Sequence, residues 1–183
     1  MTRHHLRDLF VGLAVLLASS ASVAAPDIDV HEHPTLRGGK AGLAPHDIKG
    51  TAIYAFASDR DVGVDIEATS RDVEIDGVAR TVFSPPECAA LAAMASDARR
   101  AAFFRIWTRK EAYVKFLGDG LGYPTRSFSV SDHADDDALV GDEKDAGAPR
   151  RCRVIALPAP PGFAAALAAT GRDWSVVEVD AAP

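Results

Sequence analysis

Cysteine is nearly absent from this chain: Cys88 and Cys152 are the whole supply, far apart and in no Cys-x-x-Cys pair. That excludes a disulfide framework and a zinc signature, and makes a reduced, intracellular protein the default expectation. Basic excess is absent as well. Twenty Lys and Arg face 26 Asp and Glu, a net charge of −6, which argues against a general nucleic-acid binder with its basic surface. The longest apolar run falls short of the ~20 residues a membrane helix needs, so no span is expected. No internal repeat is visible. What is present, 48% apolar and 25% charged over 183 residues, suits one domain or two small subdomains with a real core.

The first 25 residues carry two readings. Arg3 and Arg7 precede an apolar run from Leu9 to Ala18, then small residues up to Ala25, which is the layout of a secretory signal. Against that, Asp8 abuts the run, and Leu6, Leu9, Leu13 and Leu16 follow helical spacing, as in a packed first helix. From Asp27 to Gly50 the chain is rich in Pro, Gly and His and reads as irregular with one short strand. Within it, Leu36-Arg37-Gly38-Gly39-Lys40 is a basic loop able to bring amides and an ammonium to a phosphate, or a plain turn. His31, His33 and His46 match no usual ligand spacing and read as a solvated loop.

Thr51 to Ala57 and Val62 to Glu67 are strand candidates, and Ser58 to Asp61 between them predicts a hairpin. On the second strand Asp65 and Glu67 are two apart and point to one side, with Val64 and Ile66 on the other. Adjacent carboxylates repel, and a hard divalent cation such as Mg2+ relieves the repulsion. Ser84-Pro85-Pro86-Glu87 starts a helix with a capping box, so a functional role for Glu87 competes with that structural one. A longer helix opens at Ser96-Asp97 and stops at Gly118. Along it Trp107, Glu111 and Lys115 share a stripe; taken alone, Glu111 with Lys115 is a surface ion pair worth about 0.3 kcal/mol.

Beyond Gly118, Ser127 to Ser131, Arg151 to Leu157 and Trp174 to Val179 read as strands. Asp132 to Asp145 reads as a solvated acidic loop, and Phe163 to Ala169 as a short Ala-rich helix or turn. Helices mixed with hairpins give an α+β fold.

Val62-Gly63-Val64-Asp65-Ile66-Glu67 and Phe104-Arg105-Ile106-Trp107-Thr108-Arg109-Lys110-Glu111-Ala112-Tyr113-Val114-Lys115, in this order, resemble the 4′-phosphopantetheinyl transferases of the Sfp type. Phe83-Ser84 with Glu87 and Leu91, Gly118 to Leu121, Pro161 to Ala166, and Trp174 extend the likeness across residues 61 to 180. The resemblance implies a phosphopantetheinyl transferase-like domain over 61–180 and a truncated, degenerate N-terminal half over 1–60. It implies Mg2+-dependent transfer of 4′-phosphopantetheine from coenzyme A to a serine of an acyl or peptidyl carrier protein, with release of 3′,5′-ADP.

Carried over residue by residue, the likeness puts Asp65, Glu67 and Glu111 on the metal. It makes Lys115 the residue that stabilises or protonates the departing nucleotide. Glu111 is the candidate base, ahead of Glu87. Lys110 meets a phosphate or covers apolar surface with its stem, and Arg37 and Lys40 hold the nucleotide. Arg99, Arg100, Arg105 and Arg109 are candidates for local positive charge toward an acidic carrier. Two departures stand out in the front half. Ala41 replaces the proline of a Gly-Lys-Pro element, and an Asn-x-Ser-His stretch is missing between Leu43 and Ile53. Coenzyme A as co-substrate implies a cytoplasmic protein. The alternatives are an impaired relative acting as a binding protein, or an exported protein with a decayed transferase domain. The oligomeric state is left open.

Overall fold

Four early strands and five later ones flank the main helices in a computed structural model that describes residues 13–19, 42–48, 51–57, 60–118, 122–133 and 137–180. Over 13–19, 42–48, 51–52 and 178–180 the description is of the backbone path. In chain order the early strands are β1 (Leu13–Ser19), β2 (Gly42–Ile48), β3 (Thr51–Ala57) and β4 (Val62–Ala68). The helices α1 (Ile75–Val82), α2 (Pro85–Ala92) and α3 (Ser96–Leu117) follow. Then come β5 (Phe128–Val130), β6 (Leu139–Asp142), the short α4 (Ala148–Arg151), β7 (Cys152–Leu157), β8 (Phe163–Thr170) and β9 (Val176–Asp180). The architecture is α+β, as expected.

Three sheets form, ordered β2-β3-β1-β9, β4-β8-β7 and β5-β6. Every pairing is antiparallel except that of β1 with β9, which is parallel. The β4-β8-β7 sheet is the middle layer. On one side, Phe83, Phe103, Phe104, Ile106, Tyr113 and Phe128 make a core with Val154, Ala166 and Ala168. On the other, Val62, Val64, Ile66, Leu167 and Trp174 close against Ile53, Ala55 and Ala57 of β3. Each layer follows from side-chain alternation along the strands.

Helix α3 matches its signals. Ten of its side chains are buried, and Gly118 ends it in the left-handed conformation at φ 77°, which costs a glycine little. Its N-cap is Ala95, with Asp97 inside the first turn, where a carboxylate favours the helix dipole. The Ser84–Glu87 box is present: Glu87 Oε2 accepts from the Ser84 backbone N–H at 2.7 Å.

Several expectations are corrected. The β3–β4 hairpin does not form: β3 is flanked by β1 and β2, and β4 pairs with β8 over seven residues. The apolar run near the start is a strand over Leu13–Ser19 rather than a packed helix, since a short apolar stretch fits the middle of a sheet equally well. Phe163–Thr170 is the central strand β8 and not an Ala-rich helix, because sheet pairing on both edges overrides alanine's helix preference. The acidic stretch from 132 to 145 contains β6, and its Asp142 is buried, accepting from Tyr113 Oη at 2.9 Å and Tyr123 Oη at 2.5 Å. Strand β9 joins the sheet that also holds β1, β2 and β3.

Candidate functional site

The candidate site lies where α3 crosses β4. Lys115 Nζ is 2.6 Å from Asp65 Oδ1, and Trp107 Nε1–H donates to Glu67 Oε1 at 3.1 Å. Helix and strand therefore run antiparallel, the later helix residue meeting the earlier strand residue. Glu111 sits midway between Trp107 and Lys115 on the same stripe, and its charge acts on Asp65. The three sequence-predicted carboxylates thus share one crossing. Among the described residues, no group of three His, Cys, Asp or Glu side chains is drawn into a metal-holding cluster.

Close approach of the helix depends on small residues. A Cβ at Gly63 would lie 2.3 Å from both the Ala112 carbonyl oxygen and the Phe116 backbone nitrogen, so only glycine lets α3 sit this near. Across the β4–β8 ladder Gly63 pairs with Ala168, Asp65 with Ala166, and Glu67 with Ala164. The carboxylates are therefore flanked across the ladder by alanines.

Burial makes these carboxylates unusual. Asp65 is 1% and Glu67 3% exposed. Desolvation pushes the Asp65 carboxyl up to about 7; Lys115 opposes the rise, while Glu67 and Glu111 add to it. Asp65 Oδ2 is buried with no hydrogen-bond partner. Glu67 Oε2 has a loose ion pair with Arg71 at 3.4 Å. An orphaned, buried carboxylate oxygen beside two more acids is a set that suits a hard divalent cation.

Lys110 is corrected. It is 2% exposed and points away from this crossing into the core. Its Nζ bonds the Thr125 and Phe128 carbonyls at 2.9 and 2.7 Å and pairs with Glu87 at 2.9 Å, 4.0 Å from the Phe128 ring centre. Burial lowers its pKa, with Glu87 opposing. No donor is left for a phosphate. Glu87 is equally committed, since its Oε1 accepts from the Val130 N–H at 2.7 Å.

Among the arginines, Arg109 is fully buried and bonds the Ser131 and His133 carbonyls, so it offers no surface charge. Arg99 pairs with Asp76, Arg100 bonds the Thr69 carbonyl, and Arg105 the Asp132 carbonyl. Arg37 and Lys40 lie outside the described residues. Two residues at the crossing were missed from sequence, Arg71 and the carboxylate-holding role of Trp107. Only the i, i+4 spacing of Glu67 and Arg71 hinted at the first.

Comparison by sequence points to one family. The family model of the 4′-phosphopantetheinyl transferase superfamily matches residues 61–168. The transferase Sfp of Bacillus subtilis is 32% identical over 122 residues, covering 67% of this chain and 52% of Sfp. The transferase AcpT of Salmonella typhi is 43% identical over 70 residues, covering 38% of this chain and 36% of AcpT. The chain spans about half the length, or less, of such curated relatives. Among solved structures, the holo-[acyl-carrier-protein] synthase of Thermotoga maritima aligns at a TM-score of 0.49 and 22% identity, over 61% of this chain and 63% of that one.

Proposed function

The chain belongs to the 4′-phosphopantetheinyl transferase superfamily, and from that premise we propose that it transfers 4′-phosphopantetheine from coenzyme A to a serine of a carrier protein, using Mg2+. The observation that carries this reading is the buried Asp65 Oδ2, unpartnered beside Glu67 and Glu111 where α3 crosses β4. These three carboxylates would hold the cation. When bound, it neutralises charge growing on the phosphate oxygens as the pyrophosphate bond breaks.

The chain's own residues do the rest. The serine oxygen forms a bond to the phosphorus that carries pantetheine, and the bond from that phosphorus to the bridging oxygen breaks. The electron pair leaves with 3′,5′-ADP, and the serine proton passes to Glu111. Lys115, released from Asp65, stabilises the departing phosphate or gives it a proton. The use of coenzyme A goes with a cytoplasmic protein.

The test is transfer of labelled pantetheine from coenzyme A to several apo-carriers. Expected is incorporation that needs Mg2+ and is abolished by Asp65→Ala or Glu111→Ala; no incorporation at high coenzyme A and Mg2+ overturns the reading. A second reading rests on the altered Gly-Lys-Pro element and the missing Asn-x-Ser-His stretch. It makes the chain a non-catalytic carrier-binding relative, and calorimetry showing carrier binding without coenzyme A binding would select it.

A further inference from the structure

Glu67 has two carboxylate oxygens with unequal partners. Oε1 takes the indole N–H of Trp107 at 3.1 Å, while Oε2 has only Arg71 at 3.4 Å. Arg71 has 57% of its side chain exposed, against 3% for Glu67, so its hold is solvent-screened and weak. The indole is different. Its ring lies against Phe103, centroids 5.8 Å apart at 31°, and Phe103 is itself packed between Phe83 and Phe104. Trp107 therefore cannot swing off without disturbing the core under α3.

The chemistry of the side chain is as telling as its placement. An indole N–H donates and cannot accept, so it neither ligates a cation nor titrates near neutrality. A His or Gln at the same spot would offer a lone pair and compete for the ion. A Lys would add a charge that repels it. A donor-only, uncharged, clamped group is what orients one oxygen of a carboxylate and leaves the other available. Trp107, Glu111 and Lys115 occupy successive turns, so the same helical stripe that brings in an acid and an ammonium also supplies this donor.

We propose, resting on the reading of this crossing as a divalent-cation site, that Trp107 is a positioning residue: its N–H fixes Glu67 Oε1 so that Oε2 turns from Arg71 to the cation. Outer partners of this kind change metal affinity by about 10- to 100-fold in other metal sites.

The test uses the full chain and Mn2+ as probe, with affinity read by calorimetry at fixed pH. Trp107→Phe keeps a ring on Phe103 but has no N–H; Phe103→Leu loosens the ring packing and keeps the N–H. Expected are a roughly tenfold weaker Mn2+ affinity for Trp107→Phe and a smaller loss for Phe103→Leu, which keeps the donor on a looser mount. In a Glu67→Gln background, Trp107→Phe should add no further loss. Intrinsic emission supplies a second readout. The chain has two tryptophans, and Trp174 lies in the other core cluster with its N–H on the Gly171 carbonyl. A Mn2+-induced emission change should be present in the wild type and absent from Trp107→Phe. Native Mn2+ affinity in Trp107→Phe, an equal loss in Phe103→Leu, or no Mn2+ binding by the wild type overturns the proposal. Cation binding that follows this pattern without pantetheine transfer would sink the transferase reading alone.

Discussion

Lys115 and Asp65, fifty residues apart, form an ion pair of 2.6 Å in which the carboxylate is buried and the ammonium only partly so. Asp65 is thus held by an internal cation on one oxygen while the other has none. Removing the lysine leaves a buried acid short of its counter-charge. Lys115→Met should therefore destabilise the cation-free chain by about 1–3 kcal/mol, below the cost for a fully buried pair because Lys115 reaches solvent. Urea unfolding in chelator checks it. Adding Asp65→Asn to that variant should recover part of the loss, and a strictly additive double variant would show that the pair is not coupled.

Gly63 makes a second prediction. Its missing side chain is what allows the Ala112 and Phe116 backbone of α3 to touch β4. Gly63→Ala forces the helix outward, at a cost of about 2–3 kcal/mol in stability. The same displacement moves Glu111 and Lys115 relative to Asp65, so pantetheine transfer should fall by about 100-fold even at temperatures where the variant stays folded. Circular dichroism melts and transfer rates, measured on one preparation, separate the two effects.

The two thiols should differ sharply in reactivity. Cys152 is 2% exposed, and burial pushes its pKa up to about 11, with Asp137 adding to the shift. Only about one molecule in a thousand then carries the thiolate at pH 8. Since the free thiol would lie lower in the unfolded chain, the unfolded state loses its proton first, so Cys152 costs the folded state stability as pH rises past the unfolded pKa of about 8.5, and that loss is complete above about 11. Timed alkylation at pH 8 should label half-buried Cys88 first. Labelling of Cys152 should wait for unfolding, and equal rates would contradict this.

Much of the site was legible because its signals are local. Asp65 and Glu67 two apart on a strand, and Glu111 and Lys115 four apart on a helix, need only periodicity to be placed on one face. Gly118 and the Ser84–Glu87 box mark helix ends by short-range bonding. The failures are all decided by distant partners. Alanine-rich β8 is a strand only because β4 and β7 pair with both its edges. Asp142 is buried only because Tyr113 and Tyr123 reach it from another element. Lys110, one position before Glu111, reads from sequence either as a phosphate contact or as a stem over apolar surface, because linear order does not say which side of α3 meets the core.

Lys110 also has a consequence for how α3 is set. Its ammonium is gripped by three acceptors from two separate segments, Glu87 on α2 and the Thr125 and Phe128 carbonyls at the start of β5. A greasy surface tolerates small rolls of a helix about its axis; a point charge gripped at three places does not. It works like an indexing pin, and what it indexes is the stripe about a quarter-turn round the helix, which carries Trp107, Glu111 and Lys115. Lys110→Met paired with Glu87→Leu should lower the melting temperature, because the Ser84 and Val130 N–H groups and the Thr125 and Phe128 carbonyls lose their partners, so transfer is read well below that melt. Transfer should still drop, because a helix free to roll by even a few degrees no longer presents its working side at one angle.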